Sequence, residues 1–161
     1  TQVKRDVWVV LGSLVRRESP RLNEQIDPTM GQLIPRKADE ELKIVQFRRG
    51  ESRSREIENL QDLLTEISVE DLGCVPGSVR FVYSGNNEFP YGAREQWTDS
   101  CNLLILKEGV GIAYDRNDKT AEAFRQAGFQ TIGAKELLAK FEQGETSPET
   151  LADTIIQLPS A

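Results

Sequence analysis

The stretch WTDSCNLLILKEGVGIAYDRNDKTAEAFRQAGFQTI, residues 97–132, decides how the rest of the chain is read. Leu103 to Leu106 is a short continuous apolar run, Lys107-Glu108-Gly109 has turn chemistry, and Val110 to Tyr114 is apolar again. The pair predicts a β-hairpin with one buried face. Asn117 or Asp118 is placed to cap a helix whose apolar stripe runs through Ala121, Phe124 and Ala127. Gly128 stands where a left-handed residue would end that helix. Phe129 to Ile132 returns as a strand, so the block predicts a ββαβ unit.

Working outward, Asp6 to Leu11 is rich in Val and Trp and reads as a buried strand. Residues 15–41 are polar, broken by Pro20, Pro28 and Pro35, and predict an irregular connection with one short strand near Gln32 to Ile34. Leu42 to Phe47 predicts the next strand. Ser52 or Ser54 would cap a helix with Ile57, Leu60, Leu64 and Ile67 at helical spacing, Leu63 beside them, and Glu58, Asp62 and Glu66 on its wet face. Pro76-Gly77 turns into a strand from Ser78 to Tyr83, and Ser84 to Tyr91 has loop composition. Residues 4–84 therefore predict a second ββαβ copy alongside 100–133. A further partial unit, 134–161, would hold a helix Ala134 to Gln143 with Leu137, Leu138 and Phe141 inward. A helix start at Ser147-Pro148-Glu149 and a strand Thr154 to Leu158 would follow.

The 161 residues, 38% apolar and 29% charged, suit one soluble α/β domain. No run reaches the ~18 apolar residues of a membrane span, and no basic-then-apolar leader stands at the start. A net charge of −6 disfavours nucleic acid and anionic membrane as partners. Cys74 and Cys101 lack metal-ligand spacing and fit a reducing cytoplasm, with buried thiols as the plain expectation. Histidine is absent, so no Ser-His, Cys-His or His-metal arrangement can be assembled from these residues. The ends, Thr1-Gln2-Val3 and Leu158-Pro159-Ser160-Ala161, read as interiors of structured segments, which predicts a piece of a longer protein.

The phrase made by Trp97, Thr98, Asp99, Asn102, Gly109, Gly111, Tyr114, Asp115, Arg116, Asn117, Thr120 and Gly128 resembles the arginine deiminase family. It departs from that family at Ser100 and Cys101, where Gly and a polar residue are more usual, which leaves an altered substrate open. Outside the block the resemblance is limited to the strand near the start and to Ile155 to Pro159. The family is a fan of such units about a pseudo-fivefold axis, so the resemblance implies a partial α/β propeller of two units and the start of a third. Such a piece would expose apolar edges and self-associate. In the family a cysteine thiolate attacks the guanidinium carbon, a histidine helps ammonia leave, and water releases citrulline, with no metal or cofactor. The resemblance places the His-x-Asp motif just before the segment matching Thr1, and the nucleophile's Gly-rich loop after that matching Pro159 to Ala161. No catalytic, cofactor-binding or metal-ligating residue is therefore assigned to this chain.

The implied parent is a cytoplasmic hydrolase acting on L-arginine or a related guanidine compound, with this chain incomplete and the rest of the polypeptide as its partner. Alternatives are a non-catalytic scaffold or interaction domain, or another guanidine-modifying enzyme such as agmatine deiminase, dimethylargininase or amidinotransferase.

Other chemistry is weighed residue by residue. Cys101 beside the motif invites a nucleophile reading, but it opens an apolar strand with no histidine and no positive loop. Asp99, Asp115 and Arg116 could line a site, or could fix strand ends through turn bonds and local pairs. Gly109-Val110-Gly111 lacks the third glycine of a dinucleotide fingerprint and joins strand to strand. Arg48, Arg49, Arg53 and Arg55 could grip a phosphate, yet Glu51 and Glu56 interleave them and predict a solvated face. Thr1 could serve as an N-terminal nucleophile, with nothing else to support it.

Overall fold

A computed structural model describes residues 1–12 and 43–160. The expected connection, residues 15–41, and the short strand near Gln32 to Ile34 lie outside these residues. The described chain is mixed α/β, with three open sheets and no closed barrel among the described residues.

The 97–132 block folds as its pattern predicts. β6 (Leu104–Lys107) and β7 (Val110–Tyr114) pair antiparallel, with Leu104 opposite Ile112 and Ile105 opposite Gly111. Gly109 takes the turn at φ +79°, a left-handed value that glycine adopts without steric cost. Helix α3 (Asp118–Gln126) follows, and Gly128 ends it at φ +89°. β8 (Gln130–Gly133), helix α4 (Ala134–Glu142) and β9 (Thr154–Leu158) complete the region.

The sheet order is β6-β7-β9-β8, with β7, β9 and β8 parallel. β9, expected as the last element of the partial unit 134–161, thus lies between β7 and β8. The crossover from β7 to β8 skips one position and the crossover from β8 to β9 returns to fill it. Right-handed crossovers running in opposite directions must place their helices on opposite faces. The side chains agree, because neighbouring β9 residues face opposite ways. Ile155 joins the core with Phe124 of α3, and Ile156 joins the one with Leu137 of α4.

The first half is organised differently from its expectation. β1 (Gln2–Lys4), which has no periodic signal of its own, pairs antiparallel with β2 (Val7–Val10). β2 pairs parallel with β5 (Arg80–Tyr83), giving the order β1-β2-β5. β3 (Ile44–Gln46) does not join that sheet. It forms a separate two-stranded hairpin with β4 (Arg55–Ile57), because its residues are only half-buried or exposed and supply no inner face. Helix α1 (Leu60–Glu66) starts later than predicted for the same reason, since Arg55–Ile57 is held as a strand. Asn59, and not Ser52 or Ser54, caps α1 by accepting the Gln61 amide at 2.8 Å. A π-helical turn, Ile67–Asp71, extends it.

α3 is the shared centre. Its buried Ala123 and Phe124 meet Val3, Val7, Val9 and Val82 from one sheet and Ile155 from the other. Phe124 also stacks edge-on against Phe129 with ring centres 5.4 Å apart. Burying one such ring is worth about 2–3 kcal/mol. On α4, Leu137 and Phe141 turn inward, but Leu138 is 59% exposed, correcting the expectation that it packs. Residue 138 is rotated about 100° from 137, whereas 141 returns to the same face. No helix starts at Ser147. Residues 147–150 form a turn in which the Ser147 amide donates to Thr150 Oγ1 at 3.1 Å.

Candidate functional site

Polar side chains gather where β5, β7 and β9 end, between the connection 84–102 and the N-terminus of α3. Ser84–Asn87 is a 3-10 turn with Gly85, Asn86 and Asn87 all at positive φ. Helix α2 (Tyr91–Trp97) follows in what composition marks only as the edge of a loop. A Cβ on Gly85 would lie 2.2 Å from the Tyr91 carbonyl carbon, so only glycine lets the turn close on α2.

The central side chain of this cluster is Glu95, which local sequence pattern does not single out. Only 3% exposed, its carboxylate accepts the amides of Lys119 at 2.9 Å and Thr120 at 2.8 Å, and the Thr120 hydroxyl at 2.6 Å. It therefore caps α3 from 24 residues away, where the positive end of the helix dipole favours an anion. Asn117, the expected cap, holds the N-cap position without a capping side-chain bond. Its side-chain amide instead donates to the Thr98 carbonyl at 3.0 Å and its carbonyl accepts the Thr98 hydroxyl. Thr120 Oγ1 in turn accepts the Gly85 amide at 2.8 Å. Beneath this network Ser84 and Ser100, both buried, share a hydroxyl hydrogen bond of 2.6 Å.

Asp115, at the end of β7, accepts the Ser160 amide at 2.9 Å and the Ser160 hydroxyl at 2.8 Å, tying down the chain that leaves β9. The Ser160 amide bond is the main reason its carboxyl sits below the usual carboxylate range. Arg116 lies 4.4 Å over the Tyr114 ring and 3.9 Å from Asp99. Asp99, left-handed at φ +64°, accepts the Asn102 side-chain amide at 3.0 Å. All three charged residues of the phrase are thus joined at strand and helix ends.

The sequence profile described as Arginine deiminase matches residues 34–138, well over half of the 161. The chain belongs to the arginine deiminase family. Over 54 residues it is 41% identical to the arginine deiminases of Staphylococcus aureus strains JH9, Newman and Mu3. That alignment takes in 34% of this chain and 13% of each relative, so the chain spans only a small part of the relatives' length.

In this arginine deiminase family chain, Cys101 sits half-buried in surroundings that disfavour its thiolate. Burial pushes its thiol up, and the hydrogen bond from Ser100 offsets that only in part. A thiol held protonated is a poor attacking group. Its carbonyl accepts the Thr1 hydroxyl. Arg48 pairs with Asp71 at 3.1 Å, and one Arg55 nitrogen donates to both Glu66 oxygens at 2.7 Å. The shallow groove beside them, about 300 Å³, is lined by Glu51, Glu66 and Glu70 as well as by those arginines, so it does not offer a phosphate net positive charge. Gly109 and Gly111 belong to a strand-to-strand hairpin, as their spacing predicts. Among the described residues, no three His, Cys, Asp or Glu side chains gather as a metal-binding group. Among them, too, no helix is long and apolar enough to cross a membrane.

Proposed function

We propose that this chain is a catalytically silent portion of an arginine deiminase-like hydrolase. In the intact protein, L-arginine and water would yield L-citrulline and ammonia through a Cys-bound intermediate. The observation that carries the reading is the state of Cys101. It is the cysteine nearest the family phrase, yet burial raises its pKa, and the chain has no histidine to serve as its base. The cluster around Glu95 and Asp115 supplies positioning without a reactive pair, which suits a wall of a site completed elsewhere.

The finer architecture we infer is a partial propeller with units near 4–84 and 100–133 and a further portion, 134–161. In its favour, each large sheet begins with an antiparallel pair, β1-β2 or β6-β7, whose second strand then gains a parallel partner beyond a helix. Phe89 and Trp97, 83% and 84% exposed, are large apolar groups that the remainder of the polypeptide would cover. We place the protein in the cytoplasm, where its two free cysteines would stay reduced.

A colorimetric citrulline assay on two proteins tests this. The 161-residue chain given L-arginine is expected to stay at blank, while the natural gene product containing it turns over. Citrulline from the short chain alone would overturn the silent assignment. If the natural product is also inert on arginine, agmatine and methylated arginine, the scaffold reading takes its place, a reading the two exposed aromatic side chains favour.

A further inference from the structure

β9 lies between β7 and β8, so the chain that leaves it has two neighbours whose ends it could cross. The bonds of that exit go to β7. Leu158, opposite Tyr114 in the parallel register, gives its carbonyl to the Asp115 amide at 2.9 Å. Pro159 carries no amide hydrogen, so the ladder cannot continue through it. Ser160 supplies the next donors, and both its amide, at 2.9 Å, and its hydroxyl, at 2.8 Å, go to one oxygen, Asp115 Oδ1.

β8 offers no matching hold among the described residues. Its register with β9 stops at Gly133, opposite Gln157, and the next residue already begins α4. Asp115, by contrast, stands where β7 gives way to the start of α3. Arg116 and Asn117 follow it, and Asn117 donates to the Thr98 carbonyl in the polar cluster. Bringing Ser160 onto Asp115 therefore turns the exit of β9 toward Glu95, Thr98 and Asn117 and away from α4. The carboxyl ends of parallel strands are also where open α/β sheets bind ligands, on loops that a rigid scaffold holds in place.

Hydrogen bonds to a carboxylate are stronger than those to a neutral acceptor, and the same two bonds to Ser160 are the main reason that the Asp115 carboxyl stays ionised at neutral pH. We propose that Asp115 is a positioning residue: it steers the chain leaving β9 over the end of β7 and so delivers the residues beyond Ser160 to the polar cluster, where the deiminase-like site is completed. For its effect on turnover the proposal rests on the hydrolase reading above. For the path of the chain it rests on the hydrogen bonds alone.

Two measurements on the same substitutions test it. In the ¹⁵N-labelled 161-residue chain, Asp115→Ala is expected to speed amide exchange at Ser160 by about tenfold or more, with Ile156 in the body of β9 unchanged. Asp115→Asn is expected to keep most of the protection, because both bonds end on one oxygen and an amide oxygen can take its place. In the natural gene product, Asp115→Ala should lower kcat on L-arginine by about tenfold or more with KM within about twofold, and Asp115→Asn should restore most of it. Unchanged exchange at Ser160 would overturn the proposed path. An active gene product whose kcat survives Asp115→Ala, or whose loss Asp115→Asn does not relieve, would reduce Asp115 to a structural tie and overturn its positioning role. A gene product inert on L-arginine before any substitution would instead sink the hydrolase reading and the positioning role with it, while the Ser160 exchange still decides the path by itself.

Discussion

Glu95 shows what a single residue contributes here. Its carboxylate satisfies two amides at the start of α3 and the Thr120 hydroxyl that holds the Gly85 turn. Glu95→Ala would leave those amides buried and unpaired, and charge-assisted bonds of this kind are worth about 1.5–3 kcal/mol. We expect a loss of about 3 kcal/mol in urea unfolding, and a loss under 1 kcal/mol would show that the cap contributes little. Cys101 gives a second test at this scale. Its raised pKa predicts iodoacetamide labelling at neutral pH slower than that of a small thiol, speeding up only as the pH climbs. Labelling faster than the reference thiol would mean an activated cysteine. Of this cluster, Asp99, Asp115 and Arg116 stand out in the sequence because a motif marks them. Glu95 and the Ser84–Ser100 pair do not, since their partners lie 16 to 25 residues away.

At the scale of elements, legibility follows the kind of residue each one buries. The hairpin β6-β7 and helix α3 bury apolar side chains at regular spacing, so their periodicity is visible. α2 buries Glu95 and contains Gly92, so no apolar pattern announces it. β1 is three residues long and its central Val3 is buried, too short a run to carry a period. The connection between β5 and α2 depends on Gly85 at φ +59°. Gly85→Ala combines an unfavourable backbone with a contact at 2.2 Å, and we expect it to cost about 2–4 kcal/mol. A thermal midpoint equal to that of the unsubstituted chain would show that the turn relaxes freely.

For the whole molecule, ties between distant segments predict its response to acid. The carboxyls of Glu108, bound by Arg5, and of Asp115, bound by Ser160, both lie below their ordinary range. A carboxyl depressed by folding stabilises above its unfolded pKa, and that gain is lost as the pH falls through the folded value. The urea midpoint should therefore hold from pH 7 to about 5 and drop below about 4. A midpoint unchanged down to pH 3 would remove these ties from the account. The sheet face under α4 is only partly covered, with Leu104 and Leu106 on β6 63% and 55% exposed. We expect light scattering to report a mass above monomer that grows with concentration, and a constant monomer mass would contradict this.

By itself the sequence determined the α/β class, the β6-β7 hairpin, α3 with its glycine stop, the α4 helix and membership of a family. Each rests on contacts between near neighbours or on a phrase of fixed spacing. Tertiary structure alone decided that β9 enters between β7 and β8, that β3 leaves the first sheet for β4, and that Glu95 caps α3. Strand order and remote capping depend on which distant segments bring complementary backbone or charge together, and spacing along the chain does not encode that choice.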